Sequence, residues 1–269
     1  MKLKKYYSLM VSIIITTYNR KTLLSKTINS ILIQNYRDFE IIIVDNFSNY
    51  DFFNFIRDFN DTRLKPFQNF NNGIIAINRN FGIIKSKGEF VAFCDDDDTW
   101  TPTKLYLQIS FIEKYNCDIT SSNIFLINDY DKSLSHNSFI SRIFLKILSY
   151  NILNPKYILI LTSYINYSSV LLKKTVINDI GFINENKDLI GLEDFDFFYN
   201  ILLKYKLHYT NKKLIHYRIH SSQTSFKNSS KEKKIKYQIL LSYNYMYNKI
   251  QKILIFIFFK LNKRVINLN

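Results

Sequence analysis

Cysteine, proline and glycine are scarce in this chain, which has two Cys, three Pro and five Gly among its 269 residues. Two cysteines cannot supply a disulfide framework or a cysteine-based zinc site, and their small number is typical of a reducing cytoplasm. So little Gly and Pro, beside 47% hydrophobic and 16% aromatic residues, excludes a disordered, collagen-like or linker-rich protein. We therefore expect one sizeable folded domain with a short appendage, or two small domains.

Several motifs of nucleotide, calcium and hydrolase sites are missing as well. The absence of Gly-x-Gly-x-x-Gly after the first apolar run argues against NAD or FAD, and the absence of Gly-Lys-Ser/Thr excludes a P-loop. An EF-hand is disfavoured because no Asp-x-Asp-x-Asp-Gly loop with a distal Glu occurs. No serine or histidine has the context of a catalytic triad, so covalent hydrolase chemistry is unsupported.

Long apolar runs are also lacking, and none reaches the roughly 18 residues that span a bilayer. The basic start at 1–5 precedes a short apolar run and no small-residue cleavage site, so we do not expect a signal peptide. The apolar run at 253–259 is flanked by Lys and Arg. It is too short to cross a membrane but suited to lying in its interface.

The positive charge is concentrated near the C-terminal end of the sequence. The net charge is +15, and residues 204–269 hold 15 Lys or Arg and one acid, whereas residues 1–203 hold 22 basic and 21 acidic residues. A neutral body with a basic tail favours an anionic partner, such as a membrane surface or a charged acceptor, and disfavours nucleic acid. Two alternatives stand: a solvated tail, or a tail packed on the body or on a second subunit, as in a homodimer.

Short apolar runs alternate with segments of helical period along the chain. This alternation predicts right-handed βαβ units and a Rossmann-like, mostly parallel sheet flanked by helices, with ligands at the carboxyl ends of its strands. We expect Asn19 to cap the first helix, and Thr101 with Pro102 to begin the helix that ends near Tyr115. The predicted strands are 9–15, 39–44, 63–67, 90–94, 117–127, 167–172 and 213–218, and further helices are predicted at 51–58, 72–85 and 192–203.

Acidic side chains stand directly after two of these strands. Four aspartates at 95–98 follow one strand, and Asp45 with Asn46 follows another, so both sets are expected at the same edge of the sheet. Carboxylates there suit Mg²⁺ or Mn²⁺, which take one or two of them together with substrate phosphates. The alternative is a hydrated turn that stabilises the start of the next helix.

A second acidic cluster, Glu193, Asp194 and Asp196, begins a predicted helix about a hundred residues later. Its members are either partners of the helix dipole or a source of a general base. His220 follows the last predicted strand, where a lone histidine is commonly a surface residue.

Taken in order, six motifs resemble those of family 2 glycosyltransferases with the GT-A fold, over about residues 10–225. They are VSIIITTYNR at 11–20, VDN at 44–46, NRN at 78–80 ahead of KGE at 87–89, FCDDDDTW at 93–100, GLEDFD at 191–196 and YRIH at 217–220. The resemblance implies inverting transfer of a sugar from a nucleotide-sugar donor, with a UDP-sugar favoured. It further implies Mg²⁺ or Mn²⁺ as cofactor, and a glycan or lipid-linked acceptor in surface polysaccharide or lipopolysaccharide synthesis.

The same resemblance assigns roles to individual residues. It implies Asp194 as general base, with Glu193 or Asp196 next in line, and Asp97 and Asp95 as metal ligands. The residues that it places at the donor are Thr16, Tyr18, Asp45, Asn46, Arg79, Asp95, Asp96 and His220.

Three positions depart from the family pattern: Thr16 replaces a common Pro, Asn46 an Asp, and Phe47 a Gly. They leave the nucleobase open and keep a non-catalytic nucleotide-sugar-binding or scaffolding relative as the alternative. We expect a catalytic domain at 1–226, with a nucleotide-sugar half at about 1–100 and an acceptor half at 101–226. A basic amphipathic helical tail is expected at 227–269, its first residues forming the linker, and the protein is expected in the cytoplasm, peripheral on the inner face of the cell membrane.

Overall fold

The structure, a computed structural model, describes residues 9–134 and 165–220. The predicted tail at 227–269 lies outside these residues, so its helix, its membrane contact and the homodimer stay predictions. Within the described ranges, no helix is both long and apolar enough to cross a membrane.

Strands and helices alternate through the N-terminal part, as the sequence predicts. The elements are β1 (Val11–Thr17), α1 (Lys21–Leu32), β2 (Phe39–Asp45), α2 (Phe52–Arg57), β3 (Leu64–Gln68), α3 (Ile75–Lys85), β4 (Phe90–Asp95), β5 (Thr99–Trp100), α4 (Lys104–Tyr115), β6 (Ile119–Ile127), β7 (Leu171–Lys173), α5 (Lys174–Ile180), α6 (Glu193–Lys204) and β8 (Leu207–Arg218). Short 3₁₀ turns at Tyr167–Ser169 and Lys187–Leu189 precede β7 and α6.

These strands form one eight-stranded sheet in the order β3-β2-β1-β4-β7-β6-β8-β5. The strands β3, β2, β1 and β4 are parallel, and so is the pair β6 and β8, whereas β7 is antiparallel to both β4 and β6 and β5 to β8. The mostly parallel α/β sheet is therefore confirmed. Thr17 pairs with Asp45 and Thr16 with Asp95, which brings both acidic strand ends to one edge.

Helices cover both faces of the sheet, which explains why β1 and β2 are buried along their whole length. Successive side chains of a strand point to opposite faces. Ile13 and Ile15 accordingly pack in the core cluster that includes residues of α1 and α4, while Ile14 packs in the cluster that includes residues of α3 and α6. The core thus lies in two layers, one on either side of the sheet.

Two of the predicted helix starts were wrong. Asn19 adopts a left-handed conformation with φ of 53°, and Arg20 is the residue that precedes α1. The helix α4 is preceded by Thr103 rather than Thr101. Thr101 is held by β8 instead, because its N–H and its hydroxyl both donate to the carbonyl oxygen of Leu214. Residues 167–172, predicted as a strand, begin with a 3₁₀ turn.

A lysine is fully buried at the start of α4. Lys104 Nζ donates to Gln108 Oε1 at 2.7 Å and lies 3.8 Å from the ring centroid of Trp100. No carboxylate pairs with it among the described residues. Although the aromatic ring favours the ammonium, burial outweighs this contact and lowers the pKa of Lys104 from 10.5 to about 7.

We predict that the stability of this protein depends on pH through Lys104. Between the folded-state pKa of about 7 and the higher unfolded-state pKa, the unfolded chain binds a proton at Lys104 that the folded protein does not. The free energy of unfolding therefore decreases as the pH falls toward 7. Relative to Lys104→Met, the wild type should gain about 1 kcal/mol of unfolding free energy per pH unit between about 7 and 9. Urea unfolding at several pH values measures this difference. The exposed Lys114→Met is the control, and the same pH dependence in both variants would contradict the prediction.

Candidate functional site

A cavity of about 460 Å³ opens at the sheet edge where β1, β2 and β4 end. Most of the residues predicted for the site line it together. The lining includes Thr16, Thr17, Tyr18, Arg20, Asn46, Asn71, Asn78, Arg79, Asp95, Asp96, Asp97, Asn166, Tyr167, Gly191, Glu193, Asp194 and Tyr217. Both acidic clusters therefore contribute to one cavity.

The two clusters are joined by the buried guanidinium of Arg79. Its Nη1 donates to Glu193 Oε1 and its Nη2 to Asp95 Oδ1, each at 2.8 Å, and its centre lies 3.8 Å from the ring centroid of Tyr167. Burial alone would lower the pKa of Arg79, but the neighbouring negative charges, Asp95 foremost, hold it above its usual value. The side chain is therefore a permanent cation between strand β4 and helix α6.

Asp96 and Asp97 share a second cation, Arg20. Its Nη1 lies 2.9 Å from Asp96 Oδ1 and 2.8 Å from Asp97 Oδ2. Asp96 also accepts a hydrogen bond from Thr17 Oγ1 at 2.7 Å, and Asp97 Oδ2 lies 2.9 Å from His220 Nε2. Burial raises the pKa of Asp96 to about 6, although Arg20 opposes that rise. The predicted run of aspartates thus has its own cationic partners within the fold.

The backbone of the aspartate turn is held from beneath by Arg218 and Thr27. The side-chain Nε of Arg218 donates to the carbonyl oxygen of Asp97 at 3.0 Å, and the backbone N–H of Arg218 donates to Asp98 Oδ1 at 3.0 Å. Thr27 Oγ1 lies 3.0 Å from the carbonyl oxygen of Asp96 and 2.7 Å from that of Asp98. Burial raises the pKa of Asp98 well above its usual value. Asp98 therefore belongs to the support of the turn, and it does not line the cavity.

Asp45 likewise lies below the cavity wall. It is fully buried, and its carboxylate accepts hydrogen bonds from the N–H and the hydroxyl of Ser48 and from Gln68 Nε2. Its neighbour Asn46 does line the cavity and accepts from the N–H of Asn71 at 3.0 Å. The structure thus places Asp45 as the support of the turn after β2, and its contact with a donor stays a prediction.

Two carboxylates in the wall of the cavity are of the chemical type that binds a divalent cation. Asp95 and Asp97 offer hard carboxylate oxygens to the cavity, which fits Mg²⁺ or Mn²⁺. In the described part of the chain, no three acidic, histidine or cysteine side chains converge into a complete ligand set. The donor set therefore fits a cation that completes its coordination with phosphate oxygens. Within the same part of the chain, the buried Asn78 Nδ2 and Tyr167 Oη have no hydrogen-bond partner.

Several residues of the cavity wall are not predicted by the sequence, among them Thr17, Asn71, Asn78, Asn166 and Tyr167. Two further members, Arg20 and Glu193, have ion pairs that the sequence does not predict. Arg20 belongs to the motif at 11–20 with no predicted role, and Glu193 is predicted as a partner of the helix dipole or as a general base. Only the structure identifies these two residues as members of the site, because Arg20 pairs with Asp96 and Glu193 pairs with Arg79. Two of the predicted site residues, Asp45 and His220, do not line the cavity. The others do line it: Thr16, Tyr18, Asn46, Arg79, Asp95, Asp96, Asp97 and Asp194.

The chain is similar to known glycosyltransferases in sequence and in fold. The family model "Glycosyl transferase family 2" matches residues 12–181. A 217-residue stretch is 31% identical to the Escherichia coli UDP-Glc:alpha-D-GlcNAc-diphosphoundecaprenol beta-1,3-glucosyltransferase WfaP and covers 80% of each protein.

Two solved structures share the fold at low sequence identity. One is Staphylococcus aureus TarS 1-349 in complex with UDP-GlcNAc, with a TM-score of 0.65 and 19% identity over 86% of this chain and 66% of that one. The other is the mannosyltransferase PcManGT from Pyrobaculum calidifontis in complex with GDP-Man and Mn²⁺, with a TM-score of 0.60 and 16% identity over 79% of this chain and 57% of that one. The GT-A fold expected from the motifs is thereby confirmed.

We predict that Arg79→Met destabilises the ligand-free protein by about 3 kcal/mol or more, because it leaves Asp95 and the buried Glu193 without their shared cation. Urea unfolding at neutral pH measures the loss. Arg63→Met is the matched control, since Arg63 forms a more exposed ion pair with Asp61, and it should cost less than about 1 kcal/mol. Equal losses in the two variants would show that Arg79 does not hold the clusters together.

Proposed function

We propose a reaction for this chain, which belongs to glycosyl transferase family 2. It transfers a sugar from a UDP-sugar to a hydroxyl of a lipid-linked glycan in surface polysaccharide synthesis. The observation that carries the proposal is that Asp95, Asp97 and Asp194 line one and the same cavity. The UDP-GlcNAc complex of TarS and the undecaprenol-linked acceptor in the name of WfaP support the choice of donor and acceptor.

On the donor side, the wall of the cavity offers polar groups from two strand ends. Thr16 is the last residue but one of β1, Tyr18 directly follows β1 and Asn46 directly follows β2. A nucleoside would therefore lie across these ends, as is usual in open α/β sheets. Tyr18 has an exposed ring, which can stack on a base. The diphosphate would then lie toward Asp95 and Asp97.

Asp95 and Asp97 are the residues that we propose to hold Mg²⁺ or Mn²⁺. When bound, such a cation supplies positive charge to the diphosphate that leaves from the sugar. Arg79 holds the carboxylate of Asp95 in place, and the hydrogen bonds of Arg218 and Thr27 hold the backbone from which Asp97 projects. The chain's own part is thus to keep two carboxylates oriented toward the phosphates.

Asp194 is our choice for the general base that removes the acceptor proton and so permits inversion. Glu193 is committed elsewhere, because its two oxygens accept from Arg79 and from the N–H of Gly191. Asp196 does not line the cavity. Asp194 is half-buried in the wall at the start of α6, where its carboxylate can meet an acceptor hydroxyl that enters the cavity.

A nucleotide screen tests the donor part of the proposal. With Mn²⁺ present, UDP should raise the melting temperature more than GDP, TDP or CMP, because a ligand that binds the native state stabilises it by mass action. Transfer of glucose from UDP-glucose to a GlcNAc-diphospholipid should then be abolished by excess EDTA and restored by Mn²⁺. Full transfer in EDTA would contradict the metal assignment, and binding of UDP without transfer to any acceptor would favour a non-catalytic relative.

For the base, we predict that Asp194→Asn lowers kcat by roughly 10² to 10⁴ while the Kd for UDP stays within about twofold. The amide keeps the size of the side chain and loses its basicity. Asp196→Asn, two residues along the same helix and outside the cavity, is the control and should retain most of the activity. If Asp194→Asn instead abolishes UDP binding, Asp194 belongs to the donor site and the base lies elsewhere.

A further inference from the structure

The guanidinium of Arg20 occupies Asp97, one of the two carboxylates that we propose to hold the cation. Its Nη1 lies 2.8 Å from Asp97 Oδ2, and the same nitrogen reaches Asp96 Oδ1. The oxygen of Asp97 that faces Arg20 is also the one that lies 2.9 Å from His220 Nε2. A divalent cation on Asp97 Oδ2 and a guanidinium on the same oxygen would repel each other, so the cation competes with Arg20 for that oxygen.

Of the two arginines whose guanidinium groups pair with carboxylates of the aspartate run, Arg20 is the one that can leave. Its side chain is 33% exposed, against 6% for Arg79. Arg79 is fixed on three sides by Asp95, Glu193 and the ring of Tyr167, so its departure would leave buried carboxylates without a cation. Arg20 precedes α1 and lies at the cavity wall, where solvent can receive its charge.

We propose that Arg20 is a displaceable counterion, which neutralises Asp96 and Asp97 in the empty enzyme and makes the divalent cation and the diphosphate bind cooperatively. This inference rests on the proposed function, since it concerns the same site. The cation alone must displace Arg20 and leave its guanidinium without an anionic partner. A diphosphate in the same cavity offers anionic oxygens that the guanidinium of Arg20 can contact in place of the carboxylates. Displacing Arg20 therefore costs less free energy when both ligands bind than when the cation binds alone.

Cooperativity of this kind has a measurable consequence. The factor by which UDP strengthens binding of Mn²⁺ must equal the factor by which Mn²⁺ strengthens binding of UDP, and such factors are typically on the order of 5 to 150. When a substitution removes the guanidinium of Arg20, Mn²⁺ no longer competes with it for Asp97. Binding of Mn²⁺ in the absence of nucleotide should therefore become tighter, and the effect of UDP should become smaller.

The experiment is a titration of Mn²⁺ followed by the electron paramagnetic resonance signal of the free ion, with and without saturating UDP. Arg20→Gln should bind Mn²⁺ alone about tenfold more tightly than the wild type, and its gain on addition of UDP should shrink by a similar factor. Arg20→Lys keeps the positive charge and should stay close to the wild type. Arg57→Gln removes an exposed arginine on α2 and controls for the change in net charge.

The outcomes separate the inference from the proposed function. If Arg20→Gln binds Mn²⁺ alone no more tightly than the wild type, the counterion role is overturned, whatever UDP does. If Arg20→Gln and Arg57→Gln tighten Mn²⁺ binding equally, the effect is one of net charge and the role is also overturned. Tighter binding confined to Arg20→Gln supports it, even where the wild-type protein transfers no sugar from UDP-glucose and the proposed function fails.

Discussion

One buried cation connects the two halves of the site. Arg79 is 16 positions from Asp95 and 114 from Glu193 along the chain, and it bonds to both. Its guanidinium carbon lies 3.8 Å from the ring centroid of Tyr167, and its two terminal nitrogens reach the two carboxylates. Breaking one partner of a buried pair leaves an uncompensated charge. The cavity between the aspartate run and helix α6 therefore depends on this contact for its shape.

A second constraint is the packing of several aspartates into one turn. Like charges at this spacing repel, and burial adds a cost to each carboxylate. The fold supplies partners to all four: Arg79 to Asp95, Arg20 to both Asp96 and Asp97, and the backbone N–H of Arg218 to Asp98. Thr17 adds a hydrogen bond to Asp96 and His220 a contact to Asp97. Asp98 consequently supports the turn, whereas the other three aspartates line the cavity.

Much of the site was predictable because it lies at strand ends. In a parallel sheet, the residues after each strand meet at one edge, and the register of β1 with β2 and β4 confirms that Asp45 and Asp95 do so. The burial of Asp45 was not predictable, since a polar residue at a strand end can face either the cavity or the core. The hydrogen bonds of Ser48 and Gln68 decide that it faces inward.

The sequence by itself determined the parallel βαβ order, the strands of the core and the position of the acidic residues at one edge, because period and composition are local properties of the chain. The tertiary structure alone decided which cation neutralises which carboxylate. The guanidinium groups of Arg20, Arg79 and Arg218 reach carboxylates that are 77, 114 and 87 positions away. No local pattern encodes such pairs, because they arise only when packing of the sheet and its helices brings distant side chains within hydrogen-bond distance.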